Sequence, residues 1–155
     1  MSTRPLFLPV LRELARTFQA FEAYSALHIR TIGLTTPQFD IIATLGNTEG
    51  MSCKQLGEKT LITKGTLTGV IDRLIEKQLV NRQLSKADGR SQIIQLTAQG
   101  QAVFEQIFPE HLAFMALPFN DYSADELAEM ETILLRLRKA FNVAQGQKKL
   151  ETWVA

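Results

Sequence analysis

Apolar positions recur at helical spacing through much of the chain, and the clearest stripe lies near its middle. Leu67, Val70, Ile71, Leu74 and Ile75 lie three or four residues apart, or side by side, along one face of an α-helix. Thr63 is placed to cap that helix, and its opposite face carries Lys64, Gly65, Thr66, Thr68, Gly69 and Arg73. The pattern then changes. Val80–Ser85 and Gln92–Leu96 alternate imperfectly, but Asp88-Gly89 between them reads as a hairpin tip that needs positive φ. The stretch from Leu61 to Leu96 thus predicts a helix followed by a two-stranded ribbon, with Arg82, Lys86 and Arg90 along the ribbon.

The flanks are helical too. A first helix is predicted from near Pro9 to about Arg30, with Val10, Leu11, Leu14, Phe18, Phe21 and Leu27 as its stripe and Gly33 as its stop. Thr36-Pro37 reads as N-cap and first helical residue of a second helix. Ser52-x-x-Gln55 reads as a capping box for a short third helix. After the ribbon, Thr97 caps a fifth helix running to about Leu117, with a bend expected at Pro109. Ser123-x-x-Glu126 opens a sixth helix, in which Leu127, Met130, Leu134, Leu137 and Phe141 form a heptad-like seam. The seam and the stripe of the first helix exceed what a small module needs. Part of the seam has a place against the fifth helix, and the remainder predicts an intersubunit bundle in a homodimer.

Charge sharpens this picture. The 155 residues carry a net charge of +1, but residues 51–95 hold eight cations against four carboxylates. Residues 96–155 hold five cations against eight carboxylates. The positive charge therefore sits around the helix and ribbon. A helix of this kind fits a DNA major groove, where Thr63, Lys64, Thr66, Thr68 and Arg73 meet base edges or phosphates. Lys86 and Arg90 on the ribbon reach the flanking minor groove, and Asp88 either makes the turn, pairs with Arg90, or does both. A plain solvated face is the other reading of the helix taken alone.

Other chemistry is sparse. No apolar run approaches the length of a membrane span, and the N-terminus lacks a signal-peptide pattern. A single cysteine excludes an intramolecular disulfide and fits a reducing, cytoplasmic setting. The two histidines and Cys53 show no metal-ligand spacing, and there is no phosphate loop, dinucleotide fingerprint or nucleophile elbow. Neither an enzyme nor a cofactor is expected. Asp125, Glu126 and Glu129 suit the first turns of the sixth helix better than acid–base catalysis.

Asp72-Arg73-Leu74, Lys77, Leu79-Val80, Arg82, Asp88-x-Arg90 and Leu96-Thr97-x-x-Gly100, with Leu34-Thr35-x-x-Gln38-Phe39 upstream, resemble the signature of MarR-type winged-helix transcription regulators. Gly69 departs from it, because many relatives place a larger side chain there. The resemblance implies a mainly α fold with a small β-hairpin wing. A winged helix-turn-helix module over 36–96 would be joined to a long-helix dimerisation lobe from 1–35 and 97–155, all within one chain of 1–155. It also implies a repressor on a pseudo-palindromic double-stranded DNA operator. A small anionic or phenolic effector would sit between lobe and module, with Tyr24, His28 and Arg30 as candidate lining residues. Two other readings stand beside this one. The winged module can dock a protein instead of DNA. Alternatively Cys53, beside Lys54 at the start of the third helix, acts as a redox sensor rather than a packing residue.

Overall fold

The computed structural model describes residues 5–60 and 62–154. Leu61 and the extreme ends of the expected lobe, residues 1–4 and 155, lie outside the described residues. The element order is α1 (Leu8–Thr31), α2 (Thr36–Leu45), α3 (Cys53–Lys59), α4 (Lys64–Glu76), β1 (Val80–Leu84), β2 (Gln92–Leu96), α5 (Ala98–Ala116) and α6 (Ala124–Val154). A 3₁₀ turn, Leu117–Phe119, precedes α6. The chain divides into two compact units between Met115 and Ala116.

The first unit is built on one core. Ile41, Ile42 and Leu45 of α2 meet Leu56 of α3 and the stripe Leu67, Val70, Ile71 and Leu74 of α4. Val80 and Ile94 close it from the two strands, and Ile29 of α1 with Phe104 and Ile107 of α5 join the same cluster. The late part of α1 and the early part of α5 therefore belong to the core of the winged module as well as flanking it in sequence.

Helix starts follow their capping chemistry, with one shift. The N-cap of α2 is Thr35, not Thr36. The Thr35 hydroxyl accepts from the Gln38 amide at 3.3 Å while Gln38 Oε1 accepts from the Thr35 amide at 3.1 Å. Gln38 stands three residues after Thr35, so only that register closes the reciprocal box, leaving Thr36 and Pro37 in the first turn. Ser52 and Gln55 form the same box on α3. At α5, Thr97 accepts from the Gly100 amide at 2.9 Å and donates to the Gln78 carbonyl at 2.6 Å, which ties the helix start to the α4–β1 turn. Helix α5 runs on through Pro109 without a break.

The ribbon pairs Val80 with Leu96 and Leu84 with Gln92 in antiparallel register. Its connection is wider than a two-residue Asp-Gly turn. The strands end at Leu84 and Gln92, and only Gly89, at φ +66°, takes the left-handed conformation. A further feature has no periodic signal in the sequence. Met51 exchanges two backbone hydrogen bonds with Ile94, both 2.9 Å, which sews the loop after α2 onto the outer side of β2.

In the second unit, Ser123 and Glu126 cap α6. The Ser123 amide and hydroxyl donate to Glu126 Oε2, both at 2.8 Å, and hold that carboxyl below its ordinary pKa. Along the seam Met130, Leu134 and Phe141 are exposed in the single chain. Phe7, Val10, Phe18 and Leu27 of the first unit are exposed likewise. Among the described residues no helix is long and apolar enough to cross a membrane.

Candidate nucleic-acid interface

Helix α4 separates its two faces cleanly. Leu67, Val70, Ile71 and Leu74 are buried, and Lys64, Gly65, Thr66, Thr68, Gly69 and Arg73 are all exposed. A Cβ placed on Gly65 or Gly69 would meet nothing within 4 Å. Packing within the chain therefore does not require these glycines, and they leave the exposed face shallow. Thr63 is the N-cap residue, but its side chain makes no cap hydrogen bond and instead donates to Thr66 Oγ1 at 3.1 Å. The first amides of α4 are thus left without a side-chain acceptor. A helix start in that state favours an anion such as a backbone phosphate.

The wing is held by two carboxylates. Asp72 on α4 accepts from Arg82 Nη2 on β1 at 2.6 Å, which fixes the ribbon against the helix. Arg82 is therefore engaged within the chain, unlike the other basic residues of the ribbon. Both partners are partly exposed, so the pair is worth at most about 1 kcal/mol of stability and matters more for orientation. Asp88 builds the wing tip. Its Oδ1 accepts from the Arg90 and Ser91 amides, each at 2.9 Å, and its Oδ2 accepts from the Ser91 hydroxyl at 2.6 Å. The Ser91 bonds lead in lowering its pKa to about 2. Of the two roles open to Asp88, the structure shows the turn. Among the described residues the Arg90 guanidinium pairs with no carboxylate, and Lys86 and Arg90 are both exposed at the tip.

Lys77, just past α4, reaches back with its Nζ to the Gly33 carbonyl at 3.4 Å and to Gln38 Oε1 at 3.5 Å. These long contacts link the end of α4 to the α1–α2 turn. Cys53 is the first residue of α3, exposed and free. Among the described residues no three His, Cys, Asp or Glu side chains group as metal ligands would.

A cavity of about 410 Å³ lies within the first unit. Phe21, Ser25 and Ile29 of α1, Phe39 of α2 and His111 of α5 make its apolar and neutral walls. Glu22, Asp40 and Lys59 add charge, and Thr63 and Thr66 bring the start of α4 to its edge. Tyr24, His28 and Arg30 do not line it. Arg30 points away from the lining positions 21, 22, 25 and 29, whereas His28 lies beside Phe21 and Ser25 on the helix but is engaged by His111 and Phe114. Tyr24 stacks on Phe114 with centroids 4.4 Å apart and donates to the Phe114 carbonyl at 3.0 Å. His28 packs on His111, and Arg30 is exposed. His111 was the residue that sequence reasoning passed over. Its one signal was a polar ring on the same apolar helical face as Phe104 and Ile107.

Residues 34–92 match the sequence profile of the MarR family. The HTH-type transcriptional regulator MhqR of Bacillus subtilis is 30% identical over 136 residues, covering 88% of this chain and 92% of the relative. Two solved structures share the fold. AbsC of Streptomyces coelicolor superposes with a TM-score of 0.79 at 23% identity, over 90% of this chain and 99% of that one. BpsR of Bordetella bronchiseptica, described as having its DNA binding regulated by 6-hydroxynicotinic acid, superposes with a TM-score of 0.75 at 24% identity, over 88% and 98% of the two chains. Winged-helix architecture, an exposed polar face on α4 and a relative aligned over nearly its whole length lead to one assignment: the chain belongs to the MarR family and is a DNA-binding transcription regulator, not an enzyme.

Proposed function

We propose that the protein is a homodimeric, sequence-specific repressor that places α4 in the major groove and the tip of the wing in the flanking minor groove. The observation that carries this reading is the joint exposure of Lys64, Thr66, Thr68 and Arg73 on α4 with Lys86 and Arg90 on a wing braced by Asp72 and Asp88. Two such units, one per protomer, would read two half-sites of a pseudo-palindromic operator.

The roles within α4 separate by chemistry. A lysine is a flexible point charge suited to phosphate, whereas a threonine hydroxyl in the first turns suits a base edge. Lys64→Ala is expected to weaken all sequences similarly and to reduce the salt slope by about one unit per half-site. Thr66→Ala is expected to change preference among operator variants. Titration of the protein's own upstream DNA and a variant library at several salt concentrations tests both. An unchanged slope together with unchanged preference would remove α4 from the recognition role. Binding without salt dependence would favour a protein-docking module.

Dimerisation is supported by the exposed apolar rows of α1 and α6. Such rows, rich in Phe and Leu, are costly to leave in water. Sedimentation at about twice the 17.4 kDa of one chain is expected at micromolar concentration. A monodisperse monomer would contradict it.

The cavity is the proposed effector site. Lys59 and His111 can face an anionic or phenolic group while Phe21 and Phe39 cover an aromatic ring. The regulation that the description of BpsR assigns to 6-hydroxynicotinic acid supports a ligand of that class. Repeating the DNA titration with aromatic hydroxy acids tests this part. Indifference to all of them would remove it.

A further inference from the structure

The chain has two histidines, and they meet. His28 Nδ1 on α1 lies 3.1 Å from His111 Nδ1 on α5. His111 is only 7% exposed. Its Nε2 lies 3.4 Å from the Ser25 hydroxyl, and the Phe39 ring packs against it at a centroid distance of 4.4 Å. Phe114 covers His28 from α5. Whichever ring donates its Nδ1–H, the other must present a lone pair. The contact therefore needs one neutral imidazole. With both rings protonated, N–H would face N–H and two positive charges would adjoin among aromatic side chains.

We propose that the His28–His111 contact is a proton-operated latch between α1 and α5, closed while one imidazole is neutral, and that uptake of a second proton parts the rings and weakens DNA binding. The route to α4 is short. His111 lines the cavity that Thr63 and Thr66 also border, so a ring parted from His28 would move beside the first turn of α4. Charged groups lining that cavity come from three elements. They are Glu22 on α1, Asp40 on α2 and Lys59 on α3. The other polar neighbour of His111, the Ser25 hydroxyl, carries no charge.

Burial first, and the neighbouring His28 second, hold His111 below its ordinary pKa of 6.5. The unfolded chain then binds the proton more readily than the folded one. Stability is full above that ordinary value and falls as the pH drops through it, levelling off below the folded-state value. Simple charge predicts the reverse for binding. Added positive charge strengthens attraction to DNA, so weakening on acidification is diagnostic.

The link to DNA rests on the proposed role of α4, whereas the imidazole measurement does not. Nitrogen-detected NMR of the two rings in the full-length protein should show one of them resisting protonation below the ordinary imidazole range, with Tyr24 and Phe114 signals moving as it finally titrates. Independent protonation of both rings near 6.5, with those signals unmoved, overturns the latch. Affinity for the protein's own upstream DNA, at fixed salt, should fall about tenfold between pH 7.5 and one pH unit below the midpoint at which the resisting ring titrates, roughly what one linked proton carries over that last unit. His28→Asn keeps a hydrogen-bonding group near the Nδ1 position and cannot take up the second proton. It should bind like the parent at pH 7.5 and lose no more than about twofold on acidification. An equal fall in parent and variant, or no fall in the parent, overturns the proposal. Absence of DNA binding at pH 7.5 would instead sink the role given to α4, leaving the ring titration to decide whether the latch exists.

Discussion

Gly100→Ala is expected to destabilise the protein by about 3 kcal/mol, the upper range for a buried clash, and to abolish DNA binding at temperatures where the parent is folded. A Cβ at this position would overlap the Leu79 carbonyl oxygen and lie 3.3 Å from the Leu79 Cα. Neither neighbour can yield easily. The same carbonyl accepts from the Thr97 amide at 3.1 Å, and the Leu79 amide donates to Leu74 at 3.0 Å. Thr97 is in turn bonded to Gln78, which holds a positive φ of 60°. Relief of the clash would thus separate α5 from the α4–β1 turn and break these bonds together. Urea denaturation measures the effect. A midpoint within the error of the parent would show that the close approach is not rigid. Gly69→Ala is the contrasting case. It faces open space on an exposed helix, so a gain of about 0.5–1 kcal/mol is expected, with any loss of DNA affinity reporting how near α4 comes to the duplex.

The signature pair Thr97-x-x-Gly100 was visible as spacing, but the reason for its glycine was not. That contrast runs through the chain. Helix α4 was legible because its stripe is a local, periodic property. Leu67, Val70, Ile71 and Leu74 are all buried, and all four lie within eight consecutive residues. The capping boxes at Ser52 and Ser123 were legible for the same reason. The α2 start was misplaced by one residue because Thr35 and Thr36 are chemically alike, and only the partner three residues on distinguishes them. The wing tip was legible as Asp88-Gly89, and Gly89 takes the positive φ expected there, but the bonding that shapes the loop was not. Here the Asp88 carboxylate takes the Arg90 and Ser91 amides, and Ser85 bonds Ser91 across the loop at 2.7 Å.

Contacts between single residues far apart in the chain left no trace. Met51 with Ile94, Asp72 with Arg82, and His28 with His111 each join one position to one other, with no repeat to betray them. The face of α1 that lines the cavity illustrates the limit. Tyr24 and His28 were the chemically conspicuous residues of that helix. Of the lining residues, Phe21 read only as part of the apolar stripe and Ser25 and Ile29 carried no signal, while Tyr24 and His28 are taken up by Phe114 and His111 of α5.

Arg90→Ala is expected to weaken operator binding by about 1–3 kcal/mol while leaving fold and assembly unchanged. The side chain is exposed and pairs with no carboxylate among the described residues, so its removal leaves nothing unsatisfied within the protein. The Arg90 amide, which donates to Asp88, is retained by alanine. Asp88→Ala tests the scaffold separately. It removes the acceptor of three hydrogen bonds, so the loop should loosen and affinity should fall although Arg90 is present. The Asp88 carboxylate is held at about 2, below its ordinary value, chiefly by Ser91. Its contribution is complete above the ordinary carboxylate range and is lost only as the pH falls toward 2, so this carboxylate does not titrate between pH 5 and 8. Any pH dependence of DNA binding in that window must therefore arise elsewhere, and an Arg90→Ala variant should retain it in full. Unaltered affinity for Arg90→Ala at moderate salt would remove the wing from the interface. Loss of the circular dichroism signal would make Arg90 a structural residue instead.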